Sequence, residues 1–408
     1  MISRLFSNRA ARWYLLALSL ALCFLGVLFV HSTMRMDGEA FPGRGARSQA
    51  IKAGIAFFGF LILCRINYRL FERKAYTLYG LVVLLLLGLL ALKFLRGDSS
   101  ANRWFRLALF DIQPSELMKI GLVLCLARYL RFRSDQGSLK GLLMPCLLTI
   151  VPMGLVLLQP DLGTSLVLPC ILLAMVFVAG ARWQYLAIVI VLAIASVPAV
   201  YKLGSHVPLI KPYQLSRLTG YFEQSDPAVR GREAYQLDQS EVAIGNGGFS
   251  GRGYGLGDQN NLGNLPARHT DFIFSVIGEE WGFIGACSVV LALVFLVMLC
   301  FLVAANTQEP YGKLVATGIG TLFAVQSYQN ICMTMGLTPI TGLPLPFVSY
   351  GGSSLVCSFA ALALVIRVAS QNTRVLSPKD LQPRKAEQPV PVLDPRPTSA
   401  LLVTQYRD

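Results

Sequence analysis

Long uncharged apolar runs constrain the fold of this chain more than any other feature of its sequence. The run LVVLLLLGLLAL at residues 81–92 is more apolar than the core segments of soluble proteins. A helix needs about 20 mostly apolar residues to cross the hydrocarbon core of a bilayer. Stretches of this kind occupy residues 13–33, 48–64, 76–95, 114–130, 141–158, 163–180, 184–203, 271–304, 314–337 and 350–369. The sequence therefore predicts an all-α polytopic membrane protein with about ten transmembrane helices.

The composition agrees with a membrane protein. The mean hydropathy is +0.56, 54% of the 408 residues are hydrophobic, and only 14% are charged. This balance excludes a disordered chain and argues against an ordinary soluble protein. The stretch at residues 13–33 is too long for a removable signal peptide and lacks a small-residue cleavage site, so we interpret it as a true span.

The distribution of positive charge predicts the orientation in the membrane. The chain has 36 basic and 22 acidic residues, for a net charge of +14, which in a soluble protein would suggest a nucleic acid partner. Here the basic residues lie at span ends, and the positive-inside rule makes those segments cytoplasmic. They are Arg4, Arg9 and Arg12 before the first span, Arg65, Arg69, Arg73 and Lys74 after the second, and Arg128, Arg131, Arg133 and Lys140 after the fourth. We therefore predict contact with membrane lipids, no nucleic acid partner, and both termini in the cytoplasm.

The predicted spans divide the chain into five parts. These are a cytoplasmic N-terminus (1–12), the first seven transmembrane helices (13–203), a long extracytoplasmic loop (204–270), the last three transmembrane helices (271–370) and a cytoplasmic tail (371–408). The tail contains six prolines and is predicted to be disordered. Loops as long as 204–270 are uncommon and often functional. Its glycine-rich stretch at residues 244–263 predicts a flexible backbone that can approach a substrate.

Three carboxylates stand at the start of the eighth predicted span. Asp271 lies at its mouth, and Glu279 and Glu280 lie two turns deeper. Ionisable residues in a span are functional candidates, because a charge in the bilayer is costly. If Thr270 caps the helix, Asp271 falls in the first turn, where a carboxylate also complements the helix dipole. The dipole does not explain the two deeper glutamates. The small residues that share the face of Asp271 would admit a neighbouring helix or a ligand, and they are Ser275, Gly278 and Gly282.

A second polar constellation is RWFRLALFDIQPSELMKI at residues 103–120. Arg103 and Arg106 alternate with aromatic and aliphatic residues, which is typical of a segment at the membrane interface. Pro114 suits the first turn of the next helix. Glu116 and Lys119 are three residues apart, so they can pair on one helical face. The residues favour equally a structural ion pair and a cation placed to meet a phosphate.

Two further motifs contain helix-breaking residues. In QPDLGTS, residues 159–165, Pro160 and Gly163 place Asp161 at a turn between two spans. In TPITGLPLPFVSYGGSS, residues 338–354, three prolines prevent a regular helix. Irregular backbone at membrane depth is tolerated only where it is buried in protein or lines a wet cavity. The second motif, which includes Ser349 and Gly351, is therefore expected to help build a cavity.

Four motifs together resemble one family. QPSELMK, QPDLGTS, HTDFIFSVIGEEWG and GLPLPFVSYGGSS are similar, in order and spacing, to the motifs of the SEDS proteins, which act in shape, elongation, division and sporulation. The resemblance extends from about residue 13 to 370. The form ITGLPLPFVSYGG looks more like RodA, the elongation member, than FtsW, the division member. One position departs from the family pattern, because Ala267 and Arg268 replace a stretch that commonly contains a glutamate before HTDF.

The resemblance implies a peptidoglycan glycosyltransferase in the bacterial cytoplasmic membrane that polymerises lipid II on the outer face. The essential acid of the family corresponds to Asp271, which we expect to be the general base. The anionic pyrophosphate leaving group would be stabilised by Lys119 first, with Arg103 and Arg106 as further candidates. Secondary substrate-binding candidates are Asp161, Glu279 and Glu280, which could also orient helices or pair with cations, together with Ser349 and Gly351.

Cofactor and partner expectations also follow from the resemblance. No cofactor is assigned from the sequence, and a divalent cation, Mg or Mn, on the pyrophosphate is left as an open alternative, since the nine cysteines and three histidines show no metal-ligand spacing. The expected partner is a class B penicillin-binding protein, which is a transpeptidase. Three alternatives stay open: a lipid II flippase, a structural partner of the transpeptidase without its own chemistry, and an FtsW-like division enzyme. A base at the outer mouth of a span favours catalysis, whereas a chain of charges across the midplane would favour transport.

Overall fold

The computed structural model of the chain describes residues 8–34, 41–96, 103–106, 111–132, 139–191 and 232–371. The predicted tail beyond Gln371 and the first part of the predicted long loop, up to residue 231, lie outside the described residues. Before that loop the helices are α1 (Asn8–Met34), α2 (Arg44–Arg65), α3 (Tyr68–Arg96), α4 (Pro114–Arg131), α5 (Leu139–Leu158) and α6 (Leu162–Val178). From the loop onward they are α7 (Arg232–Gly247), α8 (Asp258–Asn261), α9 (Ile273–Asn306), α10 (Pro310–Thr334) and α11 (Gly352–Gln371).

Helices cover the predicted spans to within a few residues wherever the chain is described. Six of them, α1, α2, α3, α5, α9 and α11, are long and apolar enough to cross a membrane. The predicted seventh span is helical at residues 183–191, and its remainder lies outside the described part of the chain. The prediction of an all-α polytopic membrane protein is confirmed, and the number of ten spans stays a prediction.

The more polar helices α4 and α10 lie inside the bundle. The helix α10 packs against α4, α6, α9 and α11, and α4 also packs against α3 and α6. Burial by their neighbours explains why these two helices can carry polar side chains at membrane depth. The buried polar residues are Ser115, Glu116 and Lys119 of α4, and Thr317, Thr321, Gln326, Ser327, Asn330 and Thr334 of α10.

A short hairpin precedes α4. The strands β1 (Phe105–Arg106) and β2 (Asp111–Ile112) pair antiparallel, with Arg106 opposite Asp111. The hairpin is tied to the start of α11, because Ser353 Oγ donates to the Asp111 carbonyl and accepts from the Gln113 N–H at 3.1 Å. The segment predicted to lie at the membrane interface is therefore a hairpin at one end of the bundle. Residues 107–110 and the side chain of Arg106 lie outside the described residues.

The helix α9 is broken at Gly282, and the glycine-rich loop completes its hydrogen bonding. Gly282 has φ 64° and ψ −162°, outside the helical region. In an unbroken helix, the carbonyls before residue 282 would accept hydrogen bonds from N–H groups of the next turn. Here those carbonyls accept from N–H groups of the loop, and the N–H groups after the break donate to carbonyls of the loop. The bonds are Arg252 N to Glu279 O at 3.0 Å, Gly253 N to Glu280 O at 2.9 Å, Phe283 N to Gly248 O at 2.9 Å and Ile284 N to Phe249 O at 3.3 Å.

Glycines make this close approach feasible. A Cβ on Gly282 would overlap the amide nitrogen of Gly251, and a Cβ on Gly247 would overlap the carbonyl oxygen of Gly278. Gly251 itself has φ +84°, a left-handed conformation that favours glycine. Residues 247–253 thus approach α9, and the approach of the glycine-rich stretch 244–263 to a substrate stays a prediction. The small face of α9 likewise admits a helix, because Gly278 lies against Ile244 of α7.

Replacing Gly282 with alanine is expected to destabilise the protein. A side chain there meets both an unfavourable backbone conformation and the loop backbone, so we expect a loss of about 2–4 kcal/mol. The check is the midpoint of thermal unfolding of purified protein in detergent. Gly88→Ala is the matched control, because a Cβ on that glycine of α3 would have nothing within 4 Å. Equal midpoints for the two variants would contradict the structural role of the break.

Candidate functional site

Three of the four motifs meet where α4 and α6 begin. Asp161 Oδ2 accepts hydrogen bonds from Ser115 Oγ at 2.8 Å and from Gln113 Nε2 at 2.9 Å. Asp161 Oδ1 accepts from the Thr164 N–H at 3.2 Å, so this carboxylate is the N-cap of α6. A Cβ on Gly163 would lie 2.6 Å from the Thr341 carbonyl oxygen, which brings the proline-rich segment 338–351 against the same helix end. Asp161 is buried and accepts three hydrogen bonds that tie the start of α6 to the start of α4, which favours the orienting role among the roles expected for it. Its contact with substrate stays a prediction.

Asp271 lies against the same proline-rich segment, at Gly342. Its Oδ2 is 3.4 Å from where a Cβ on Gly342 would stand, and Gly342 has φ +73°. The side chain is half-buried. The Asp271 N–H donates to the Ala267 carbonyl at 3.2 Å, and its carbonyl accepts from Asn330 Nδ2 at 2.8 Å. The proposed base is thus held through its main chain, with its carboxylate at a glycine where no side chain competes for space.

The expected helix start at Thr270 is wrong. The helix α9 begins at Ile273, and its N-cap, Phe272, provides no side-chain cap. Thr270 Oγ1 donates instead to the Ala267 carbonyl at 3.2 Å. Ala267, at φ 53°, reverses the chain, and its carbonyl also accepts from the N–H groups of Asp271 and Phe272. Asp271 therefore belongs to a tight turn before the helix and not to its first turn, but it stays next to the helix N-terminus, where a carboxylate also complements the helix dipole.

Asn330 was missed by sequence reasoning. Its Nδ2 donates to two carbonyls, those of Asp271 at 2.8 Å and Leu343 at 2.7 Å. The side chain is fully buried, so it fixes the turn of Asp271 against segment 338–351. An amide in the middle of a predicted span was the available signal, because a buried polar group requires partners.

Of the predicted binding residues Ser349 and Gly351, the first holds the same turn and the second bonds α2. Ser349 Oγ donates to the Thr270 carbonyl at 2.7 Å, and the Tyr350 N–H donates to the His269 carbonyl at 2.9 Å. The Gly351 N–H donates to Gln49 Oε1 of α2 at 3.4 Å. As expected, segment 338–351 is not a regular helix. Its inner part is buried in protein, at Thr341, Leu343, Leu345, Phe347, Val348 and Ser349.

Lys119 and Glu116 form a buried ion pair. The Lys119 Nζ is 2.6 Å from Glu116 Oε1, with side chains 1% and 5% exposed. This ion pair is one of the two alternatives that the sequence left open. The other alternative, in which Lys119 binds a phosphate of the substrate, stays a prediction. Arg103 is half-buried at the start of the hairpin, and its contact with substrate also stays a prediction.

Glu279 and Glu280 secure the loop and α1. Glu279 accepts from the N–H groups of Gln259 at 2.8 Å and Asn260 at 3.4 Å, at the N-terminus of α8. Glu280 Oε1 accepts from Ser32 Oγ of α1 and from Asn260 Nδ2 at 3.0 Å. Both carboxylates are buried. Their contacts are with the loop and α1, whereas Asp271 contacts segment 338–351, so the structure favours an orienting role for the two glutamates.

A second residue missed by sequence reasoning is Lys52 of α2. Its Nζ stands 3.7 Å from the centre of the Tyr350 ring, and the Tyr350 hydroxyl is 3.1 Å from Ser48 Oγ. Lys52 and Ser48, both on α2, therefore bond the Tyr350 hydroxyl. Burial, followed by the charges of Arg268 and Lys52, lowers the pKa of His269. A cation inside the predicted second span was the available signal.

Comparison with known proteins identifies the family. Residues 12–374 match the family model of the FtsW, RodA and SpoVE cell cycle proteins. A probable peptidoglycan glycosyltransferase FtsW of Trichlorobacter lovleyi is 36% identical over 367 residues, 87% of this chain and 92% of that protein. The peptidoglycan glycosyltransferase MrdB of Escherichia coli is 35% identical over 309 residues, 76% of this chain and 81% of that protein.

Two solved structures share the fold. One is a chain from a structural study of how a peptidoglycan synthase complex coordinates polymerization and crosslinking, with TM-score 0.73 and 30% identity over 89% of this chain and 98% of that chain. The other is the rod shape determining protein RodA of Thermus thermophilus, with TM-score 0.64 and 29% identity over 89% of this chain and 97% of that chain. The chain belongs to the FtsW, RodA and SpoVE family, the SEDS proteins that its four motifs resemble.

Proposed function

We propose that this protein polymerises lipid II into glycan strands during cell-wall elongation, with Asp271 as the general base. Proteins of its family carry the name peptidoglycan glycosyltransferase, and this chain is an enzyme of that class. The observation that carries the proposal is the carboxylate of Asp271. It is half-buried against Gly342, in a turn held by Asn330 and Ser349.

Glycosyl transfer requires a proton acceptor, and a carboxylate can act as one. The C4 hydroxyl of one sugar attacks C1 of another, the bond from C1 to the lipid pyrophosphate breaks, and the pyrophosphate leaves with the electron pair. A sugar hydroxyl is a weak nucleophile near neutral pH, so a carboxylate that accepts its proton during attack lowers the barrier. The turn at residues 267–272 fixes the main chain of Asp271, which reduces the freedom of the carboxylate before the reaction.

The leaving group requires positive charge. Lys119 stays our first candidate from the sequence, but its ammonium already bonds Glu116. A Mg or Mn ion that arrives with the pyrophosphate remains part of the proposal. Among the described residues no group of three or more His, Cys, Asp or Glu is placed to hold a metal, so such an ion would be held mainly by the substrate.

The proposed partner is a class B penicillin-binding transpeptidase. Support comes from the related chain in a complex that coordinates polymerization and crosslinking, since crosslinking of new strands is the transpeptidase reaction. The role in elongation is supported by the segment ITGLPLPFVSYGG. Relatives named FtsW and MrdB are similarly identical to this chain, so complementation of cells depleted of either the elongation or the division enzyme is the deciding comparison.

The direct test is strand synthesis by the purified protein on lipid II, with and without the transpeptidase. We expect glycan strands from the protein with its partner, and no strands when lipid II is omitted. Lipid II that crosses proteoliposome membranes without being polymerised would support the flippase alternative instead.

The proposed orientation has its own test. Residues 204–270 are predicted to lie outside the cell, so a cysteine at Asn261 should react with a membrane-impermeant thiol reagent on intact spheroplasts. Asn261 is exposed, whereas its neighbour Asn260 is only 2% exposed and would label poorly. The nine native cysteines are buried or half-buried, and a cysteine at exposed Lys74, predicted to be cytoplasmic, is the control. Labelling of Asn261→Cys only after lysis would overturn the topology.

A further inference from the structure

Lys52 is held beside the proposed active site without an acidic partner. It lies in the third turn of α2, and its ammonium sits over the Tyr350 ring at 3.7 Å. Within the described residues no carboxylate forms an ion pair with Lys52. A contact with an aromatic face is weaker than a buried ion pair, so an incoming anion can recruit this ammonium without breaking a salt bridge.

The position of Lys52 is fixed by the residues around it. Gln49, one turn earlier on α2, is fully buried. Its Nε2 donates to the Ser349 carbonyl at 3.1 Å, and its Oε1 accepts from the Gly351 N–H at 3.4 Å. Two bonds to the main chain of residues 349–351 therefore set the register of α2 against Tyr350. Lys52 is a placed side chain and not a free surface lysine.

The pair of Lys52 and Tyr350 is connected to the turn of Asp271 through a main-chain hydrogen bond. The Tyr350 N–H donates to the carbonyl of His269, two residues before Asp271, and the rings of Tyr350 and His269 are 5.6 Å apart. Arg268 adds a second positive charge, and its guanidinium bonds the Asn260 carbonyl. The charges of Lys52 and Arg268 both act on the His269 imidazole. The region around His269 is therefore electropositive, and the Tyr350 hydroxyl adds a further polar group to it.

We propose that Lys52 and the Tyr350 hydroxyl bind a phosphate of the polyprenyl pyrophosphate on the lipid-linked substrate, with Arg268 contributing charge. The inference rests on the proposed function, which supplies that substrate. A phosphate offers several acceptor oxygens, so an ammonium and a phenol O–H can donate to it together. Lys119 is already engaged by Glu116 at 2.6 Å, whereas the contacts of Lys52 within the described part of the chain are with the ring and hydroxyl of Tyr350. The subsite thus provides the leaving group with a positive charge that the sequence did not reveal.

The test measures binding without turnover. Purified full-length protein is titrated with farnesyl pyrophosphate in mixed micelles, and parallel titrations use inorganic pyrophosphate and phosphatidylglycerol. We expect Lys52→Met to weaken farnesyl pyrophosphate binding about tenfold, the effect of one lost hydrogen bond to a charged group. Tyr350→Phe, which keeps the ring under Lys52, should weaken it by a smaller factor, and Lys52→Arg should retain most of the affinity.

Matched variants and probes keep the result interpretable. Lys74→Met removes the same charge from an exposed position on α3 and should leave binding unchanged. Unfolding midpoints of all variants confirm that they fold. Unchanged farnesyl pyrophosphate binding in Lys52→Met overturns the subsite, and so does a wild type that binds no farnesyl pyrophosphate. An equal loss for phosphatidylglycerol would assign Lys52 to membrane headgroups, and a loss for inorganic pyrophosphate alone would assign it to free phosphate. Because strand synthesis is not measured, the subsite can stand even if the proposed polymerase activity fails.

Discussion

Asp271→Asn is expected to reduce glycan strand synthesis by about 10²–10⁴-fold, the usual cost of removing a general base. Asparagine has nearly the same size and keeps the main-chain bonds to Ala267 and Asn330. Expression, membrane insertion and the unfolding midpoint should therefore stay close to wild type. Lipid II binding should also survive, because contacts to sugar and lipid do not depend on the proton acceptor. The measurement is strand length and rate on lipid II, with binding measured separately.

Asp271→Glu distinguishes a positioned base from a simple negative charge. The carboxylate already lies close to Gly342, where an added Cβ would be 3.4 Å from Oδ2. An extra methylene displaces the carboxylate, so glutamate should recover little activity. If Asp271 only complements the helix dipole, the opposite is expected. Glutamate would then stabilise the helix end equally well, and asparagine would lower the free energy of unfolding by under about 1 kcal/mol.

Asp258→Asn is the matched control for loss of a carboxylate. Asp258 is 58% exposed on α8 and stands 3.9 Å from Arg252, so its loss should leave the rate unchanged. If purified Asp271→Asn polymerises lipid II at nearly the wild-type rate, Asp271 is not the base. The flippase alternative and the scaffold alternative would then be the better explanations.

Local sequence patterns predicted what depends on neighbours along the chain. Apolar stretches gave the helices because a span is defined by its own length and composition. Three prolines gave the irregular segment 338–351 for the same reason. The pairing of Glu116 with Lys119 was accessible too, since residues three apart on a helix share a face.

Features set by contacts distant in sequence could not be predicted. The break of α9 at Gly282 exists because loop backbone some 30 residues earlier replaces its helical hydrogen bonds. Thr270 is a favourable N-cap residue, yet Ala267 adopts φ 53° and turns the chain differently. Asn330 and Ser349 hold that turn from distant parts of the chain, and tertiary contacts of this kind override local preference.

Some residues of the site could be identified from the sequence, but their contacts with one another could not. Lys52 could have been singled out as a cation within a span, yet its meeting with Tyr350 joins residues about 300 positions apart. The two deep glutamates attracted the same functional reasoning as Asp271, but Glu279 and Glu280 bond the loop and α1. A costly charge at membrane depth thus indicates a buried partner as readily as a substrate.

Lys119→Met is expected to lower both stability and strand synthesis. It leaves Glu116 buried without its partner, at 5% side-chain exposure, and an uncompensated buried charge costs about 3–5 kcal/mol. A loss of activity in this variant alone would therefore not separate a role in chemistry from a role in folding. Unfolding midpoint and strand synthesis must be measured on the same preparation.

The double variant Lys119→Met with Glu116→Gln makes that separation. It removes both charges, so the unfolding midpoint should return toward wild type, because replacing a buried pair by neutral residues of similar size is often close to neutral. If Lys119 stabilises the pyrophosphate, strand synthesis should stay low in the double variant even though its stability is restored, since no cation remains at that position. Glu116→Gln alone is the control, because it keeps the ammonium while removing its partner. Recovery of synthesis in the double variant would show that the pair is only structural, and the positive charge for the leaving group would then have to come from elsewhere, with Lys52 and Arg268 beside the turn of Asp271 as candidates.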